Sequence, residues 1–138
     1  MTFYSLARSV VYLVSKLIYR VEYQGLENIP SGGFILCSNH ISQYDPIFVA
    51  VKVKQQCFFM AKEELFRFKP LGMLIRALGA FPVSRGKGDT AAIDRAVSLV
   101  QGGQVVAIFP EGTRPKTGEL LKLKSGAVVI AAQTGCGL

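Results

Sequence analysis

The sequence has one histidine, no tryptophan and only three cysteines. Cys37, Cys57 and Cys136 are odd in number and form no Cys-x-x-Cys pair. This pattern argues against a disulfide framework or a zinc site and favours a reducing compartment. A metal held by His40 with Asp45 or Glu111 is disfavoured because no second histidine is available as a ligand. We expect no metal and no other cofactor.

Acidic residues are also few: nine Asp and Glu stand against sixteen Lys and Arg, giving a net charge of +7. This charge favours an anionic partner, whether nucleic acid, membrane headgroups or a phosphorylated substrate. The basic residues are scattered and form no nucleic-acid-binding motif, so we expect no nucleic-acid partner. The 138 residues, half of them apolar, suit one folded domain.

An uninterrupted apolar run long enough to cross a membrane is absent. The first twenty residues are apolar at a helical period, but Arg8 and Lys16 interrupt them before the ~18–20 residues that a span needs. No signal-peptide cleavage pattern follows. We predict a basic amphipathic helix over residues 1–20 that lies on an anionic bilayer surface, followed by an α/β domain over residues 21–138. The alternative is that this helix packs on its own domain.

Short apolar runs then alternate with helical patterns. The predicted strands are Phe34–Cys37, Cys57–Ala61, Ala80–Val83 and Val105–Phe109. The predicted helices are Pro46–Val53, Glu63–Leu78, Thr90–Gln101 and Lys124–Thr134, with Asp89 capping the third and Gly135 ending the fourth. This alternation predicts an α/β fold, a mainly parallel sheet flanked by helices.

Polar residues of the types used in catalysis follow each predicted strand. In open α/β sheets ligands bind beyond the carboxyl ends of the strands, so these residues are expected at one edge. They are Asn39-His40, Lys62, Ser84-Arg85 and Pro110–Arg114.

His40 and Asp45 are the candidate catalytic pair. Imidazole exchanges a proton near neutral pH if a neighbouring group fixes its tautomer. Five residues apart on a regular helix, the two side chains would face apart, so the segment between them must turn. Asp45-Pro46 favours this, with Asp45 as the cap of a helix that begins at Pro46. The alternatives are a purely structural His40 and a Cys37/His40 nucleophilic pair.

A phosphate site is predicted at the same edge. Arg85 and Arg114 offer planar forks for phosphate oxygens, and Lys62 adds a charge. Gly112 permits close backbone approach to an anion, whereas Glu111 braces an arginine or binds a substrate hydroxyl. A histidine base beside such a site suggests proton removal from a hydroxyl that attacks an acyl carbonyl.

Four ordered segments resemble the glycerolipid acyltransferase family. Asn39-His40-x-Ser42-x-x-Asp45 resembles the first motif, Gly79–Arg85 the second and Phe109–Arg114 the third, while Phe59–Phe66 is similar to a segment between the first two. Together they cover the chain from about Gly25 to Gly126.

The resemblance implies that His40, oriented by Asp45, deprotonates the free glycerol hydroxyl of lysophosphatidate. That hydroxyl attacks an acyl thioester of coenzyme A or acyl carrier protein without an acyl-enzyme, at the cytoplasmic face of the cell membrane. The resemblance assigns the acceptor's phosphate and glycerol to Lys62, Arg85, Glu111, Gly112, Thr113 and Arg114.

Family members continue beyond this point with another strand, so a C-terminally truncated form with an unpaired sheet edge is expected. Within acyl transfer, glycerol 3-phosphate or another lysolipid is an alternative acceptor. Two other functions stay open: a hydrolase that passes the same acyl group to water, and a non-catalytic membrane-binding remnant.

Overall fold

The computed structural model describes residues 2–84 and 88–138 of the chain. These residues form four strands: β1 Phe34–Cys37, β2 Cys57–Lys62, β3 Ala80–Val83 and β4 Val105–Ile108. The α-helices are α1 Phe3–Ile18, α2 Asp45–Ala50, α3 Lys69–Ala77, α4 Thr90–Gln101 and α5 Gly126–Thr134. Short 3₁₀ turns cover Leu26–Asn28 and Glu63–Phe66.

The four strands are all parallel and lie in the order β1-β4-β2-β3. The predicted α/β fold with a parallel sheet and flanking helices is therefore confirmed. The last strand, β4, enters between β1 and β2, and all four of its residues are buried. The segments that follow β1 and β4 consequently leave the sheet side by side.

Both faces of the sheet are covered, as the near-continuous apolar strands require. Alternate residues of one strand point to opposite faces. On one face Ile35 and Val106 pack with α4 and α5, through residues such as Ala96 and Ile130. On the other face lie Phe34, Val53, Cys57 and Val105.

The predicted helix over Glu63–Leu78 is wrong as a single element. The chain forms a 3₁₀ turn, leaves helical geometry at Phe68 (φ −79°, ψ 103°) and begins α3 at Lys69. Pro70 explains the break, because a proline lacks the amide hydrogen and clashes with the preceding turn except at a helix start.

Two other helices are shorter than predicted. Helix α2 ends at Ala50 rather than Val53, and the following turn buries both Val51 and Val53, which a continued helix would point apart. Helix α5 begins at Gly126 because the Lys124 amide donates to the Pro110 carbonyl oxygen (2.9 Å) instead of entering a helix.

Helix α1 contacts the domain through the side that carries its tyrosines and Arg8. The Tyr4 hydroxyl accepts a hydrogen bond from the Cys57 amide (3.1 Å), and Arg8 donates to the Val53 and Lys54 carbonyl oxygens. No helix in the described ranges is long and apolar enough to cross a membrane. The predicted division of the chain at residue 20 stays a prediction.

The residues after α5 run beside β1. Gly135 ends the helix in the left-handed conformation (φ 67°), as predicted, and the Ile35 amide donates to the Gly137 carbonyl oxygen (3.2 Å). In the described sheet β1 remains an edge strand, and its Ile35 amide is paired by this segment.

Candidate active site

The candidate site lies at the carboxyl ends of β1 and β4. The pairing of these strands continues past β1, since the Ser38 amide donates to the Ile108 carbonyl oxygen (3.2 Å). The His40 ring then stacks on the Phe109 ring, with centroids 4.3 Å apart and planes 23° apart. The stack fixes the plane of the imidazole at the mouth of the sheet.

His40 and Asp45 form the pair that the sequence predicts. His40 Nδ1 lies 2.9 Å from Asp45 Oδ2. The same carboxylate oxygen accepts the amides of Ile41 and Ser42, each at 2.8 Å, so it closes the turn between the two residues. The predicted capping role of Asp45 is wrong by one position: the cap is Tyr44, and Asp45 is the first helical residue. Its side chain turns back to this loop instead of reaching the helix amides.

The carboxylate of Asp45 is held in its charged form. Burial by itself raises the pKa of Asp45, but hydrogen bonds from the Ser42 amide, the His40 ring and the Ile41 amide together outweigh it, and the net effect lowers this pKa. A charged acceptor at Nδ1 places the imidazole proton on that nitrogen. Within the described residues Nε2 of His40 has no hydrogen-bond partner, which leaves it able to accept a proton.

The lowered pKa of Asp45 predicts a pH dependence of stability. A carboxyl whose pKa is lower in the folded state stabilises the fold above its unfolded value, about 3.9, and this contribution is lost as pH falls through the folded value. We expect Asp45→Asn to be less stable at neutral pH but to lose less stability below about pH 4. Denaturant unfolding at a series of pH values measures this, with the exposed Asp94→Asn as control. Equal pH dependence in wild type and Asp45→Asn would contradict the assignment.

Glu111 is buried, with 4% of its surface exposed, and binds two separate loops. Its Oε1 accepts the His40 amide (2.9 Å) and its Oε2 accepts the Leu121 amide (3.0 Å). The hydrogen bonds from Leu121 and His40 lower the pKa of Glu111. Glu111 thereby holds the backbone of the histidine loop against the segment that precedes α5.

Gly112 lies where the chain turns after β4. Its φ is +70°, a conformation that favours glycine, and its amide donates to the Phe109 carbonyl oxygen (2.9 Å). A Cβ added here would come within 2.8 Å of Nζ and 2.9 Å of Cε of Lys124. The Lys124 side chain therefore lies directly across the backbone of the third motif.

Alanine at this glycine is expected to disturb the site as well as the turn. Gly118 supplies a matched control, because it has a similar φ of +76° but nothing within 4 Å of an added Cβ. Both Gly112→Ala and Gly118→Ala should cost about 1–2 kcal/mol of stability for the left-handed backbone. Only Gly112→Ala should also displace Lys124 and lower activity. Thermal unfolding and an assay of the acyl transfer that the family resemblance predicts measure the two effects, and equal activity in both variants would contradict this view.

The structure does not bring the predicted phosphate-binding residues together as closely as it brings together His40 and Asp45. Lys62 ends β2, and its Nζ pairs with Glu64 Oε1 at 3.3 Å on the surface. Thr113 and Arg114 are exposed, and their side chains make no hydrogen bond or ion pair within residues 2–84 and 88–138. Arg85 lies outside the described residues. The end of β3 that precedes it is three strand positions from β1, about 14 Å across the sheet.

The cysteine alternative finds no support in the geometry. Burial raises the pKa of the Cys37 thiol, which disfavours the thiolate that a nucleophile needs. The Nδ1 atom of His40 already contacts Asp45.

The roles of two residues of the site were not predicted from the sequence. Phe109 supports the imidazole, and Lys124 crosses Gly112. An aromatic residue next to the Pro110–Arg114 loop is a weak signal for the role of Phe109. The position of the Lys124 side chain depends on the path of a loop, which the sequence does not predict.

A family model described as Acyltransferase matches residues 20–138, which include His40, Asp45 and Glu111. The match covers most of the chain. The chain therefore belongs to this acyltransferase family.

Relatives in this family carry closely similar names. A 1-acyl-sn-glycerol-3-phosphate acyltransferase of Bacillus subtilis is 35% identical over 130 residues, covering 93% of this chain and 64% of the relative. One from Streptococcus pneumoniae is 32% identical over 134 residues, covering 94% and 49%. The crystal structure of PlsC from Thermotoga maritima, a 1-acyl-sn-glycerophosphate acyltransferase, matches with a TM-score of 0.71 at 29% identity, over 99% of this chain and 58% of that one. The chain spans about half to two thirds of the length of these proteins.

Proposed function

We propose that the chain transfers an acyl group from an acyl thioester of coenzyme A or acyl carrier protein to the free glycerol hydroxyl of lysophosphatidate, giving phosphatidate. The observation that carries the proposal is the 2.9 Å contact between His40 and Asp45 in a member of the acyltransferase family. The names of the relatives support the choice of acceptor.

In the proposed reaction His40 is the general base. Its Nε2 takes the hydroxyl proton while the hydroxyl oxygen bonds to the thioester carbonyl carbon. Asp45 stabilises the imidazolium that forms, since its carboxylate accepts the Nδ1 hydrogen. When the tetrahedral intermediate collapses, the carbon–sulfur bond breaks and the imidazolium returns the proton to the leaving thiolate. The reaction needs no covalent enzyme intermediate and no cofactor.

The acceptor's phosphate and glycerol are assigned to Lys62, Arg85, Gly112, Thr113 and Arg114. Glu111, which the sequence also placed in this set, is assigned a positioning role instead, because its two carboxylate oxygens accept the His40 and Leu121 amides. Arg114 is supported by its exposed position in the loop that leaves the sheet beside His40. Lys62 is supported by its place at the end of β2. An exposed ion pair of the kind that Lys62 makes contributes about 0–1 kcal/mol, so a substrate phosphate can replace its partner at little cost.

A panel of acceptors tests the proposal. With one acyl thioester, we expect product from lysophosphatidate and a kcat/KM about 10²-fold lower for monoacylglycerol, which lacks the phosphate, because each charged hydrogen bond contributes about 1.5–3 kcal/mol. Arg114→Gln should remove most of the preference for the phosphorylated acceptor and leave the rate with monoacylglycerol unchanged. Equal use of both acceptors by the wild type would contradict the assigned phosphate site.

We propose further that α1 binds the membrane surface with the side that faces away from the domain. The domain contacts use Tyr4, Arg8 and the adjoining side of the helix. The apolar side chains on the opposite side are more than a third exposed: Phe3, Leu6, Val10, Leu13, Val14, Leu17 and Ile18. Such a surface is typical of a helix that lies in the plane of a bilayer. The membrane face stays a prediction.

Vesicle co-sedimentation measures this docking. Leu17 is 79% exposed, and burying a leucine side chain contributes about 1.5–3 kcal/mol, so Leu17→Gln should weaken vesicle binding about tenfold or more. Val128→Gln is the control, because Val128 is 63% exposed on α5. Equal loss of binding in both variants would contradict docking through α1.

A further inference from the structure

A small pocket lies where α1 meets the domain, away from the His40 site. Its volume is about 280 Å³, and its polar lining includes Tyr12, Lys16, Tyr23 and Lys52. None of the described residues that line it is acidic. This volume lies just below the range of ligand pockets, roughly 300–1,000 Å³, and suits a headgroup rather than acyl chains.

Lys52 lines this pocket as a half-buried cation. Its Nζ lies 3.9 Å from the centroid of the Tyr12 ring and 5.7 Å from that of Tyr23. Among the residues that the structure describes, no carboxylate lies within ion-pair distance of it. Removing a charge from water is costly unless an opposite charge compensates it, and aromatic rings compensate only in part. An anionic group bound in the pocket would compensate the charge of Lys52.

Lys16 adds a second positive charge from α1. The close approach of Lys52, followed by the charge of Lys16, lowers the pKa of the Tyr12 hydroxyl. Both lysines thus act on the same hydroxyl from two different elements. The local field at the pocket is therefore positive.

The position of Lys16 on α1 relates the pocket to the membrane. At about 100° per residue, Lys16 falls about midway between the side that contacts the domain and the exposed apolar side. A helix whose apolar side enters a bilayer holds such flanking residues at the level of the lipid headgroups. The pocket then opens where lipid phosphates lie.

We propose that the pocket formed by Tyr12, Lys16, Tyr23 and Lys52 binds the phosphate of an anionic membrane phospholipid. The proposal rests on the docking of α1 proposed above. The bound lipid is an anchor and not the acyl acceptor, and it orients the domain on the membrane. The expected contribution is about fivefold in affinity for each lysine near an anionic surface.

Co-sedimentation with two kinds of vesicle tests the proposal: phosphatidylcholine alone, and phosphatidylcholine mixed with phosphatidylglycerol. The wild type should bind the mixed vesicles more tightly. Lys52→Gln should lose about fivefold of that affinity and keep its binding to phosphatidylcholine. Lys54→Gln is the matched control, because Lys54 is exposed two residues along and does not line the pocket. Lys16→Gln tests the same loss of affinity for the mixed vesicles at the second lysine of the pocket. Lys16 is exposed, so its replacement leaves the fold intact.

The outcomes distinguish a failure of this proposal from a failure of the proposed acyl-transfer function. Equal losses in Lys52→Gln and Lys54→Gln would overturn it, since only diffuse attraction would remain. Saturable binding of inorganic phosphate, lost in Lys52→Gln and accompanied by no preference for mixed vesicles, would overturn the assignment to a lipid. Acyl transfer in detergent should be unchanged in these variants, whereas failure of the proposed function would abolish it in the wild type as well.

Discussion

His40→Ala is expected to lower kcat for acyl transfer about 10²- to 10⁴-fold, the usual contribution of a positioned general base. The reason is geometric: Asp45 holds Nδ1 at 2.9 Å and Phe109 supports the ring, so Nε2 is presented in a fixed orientation. KM for the acceptor should change much less, because the proposed phosphate contacts are made by other residues. Steady-state kinetics with lysophosphatidate and an acyl thioester measure both quantities.

The histidine loop provides the control for this variant. Gln43 is exposed in the same loop, so Gln43→Ala changes the loop without changing the pair. It should keep near-normal activity. A folded His40→Ala protein with the same kcat as Gln43→Ala would contradict the role of His40 as base.

Glu111→Gln has the second largest expected effect, about 10²-fold on kcat, because it acts on the position of the base. The two carboxylate oxygens accept the amides of His40 and Leu121. A glutamine offers one acceptor oxygen and sets an NH₂ group against the other amide, so one of the two loops must move. Small displacements of a catalytic group cost large factors in rate.

The division of this effect between kcat and KM distinguishes two roles for Glu111. Replacing a residue that positions His40 through the backbone lowers kcat and leaves the acceptor KM nearly unchanged. Replacing a residue that binds the acceptor raises KM. Glu119→Gln is the control, since Glu119 is exposed in the same loop. A raised KM with unchanged kcat would contradict positioning and favour direct contact with the acceptor.

The candidate base could be identified from the sequence because its signals are local. The spacing of His40 and Asp45 demands a turn, and Asp45 supplies it by accepting the Ile41 and Ser42 amides. The alternation of strands and helices likewise predicts a parallel sheet whose polar loops share one edge. These properties depend on neighbouring residues and on the handedness of the chain.

The relative positions of the loops at the carboxyl edge of the sheet could not be predicted in the same way. The insertion of β4 between β1 and β2 is a matter of strand order, and it brings Glu111 to the His40 amide. The same order leaves the end of β3 on the far side of the sheet from β1. The interruption before α3 could have been predicted from Pro70, because a proline is disfavoured inside a helix. The apolar periodicity on both sides of Pro70 instead suggested one continuous helix.

The fate of a labelled acyl group tests the central claim most directly. The purified chain is incubated with an acyl thioester carrying label in its acyl chain, together with lysophosphatidate, and the label is followed into lipid, free fatty acid and protein. Direct transfer by His40 predicts that the label passes to phosphatidate, that none becomes covalently attached to the protein, and that transfer is lost in His40→Ala. Label released only as free fatty acid, label bound to the protein, or a folded wild-type protein that leaves the thioester intact would contradict the account.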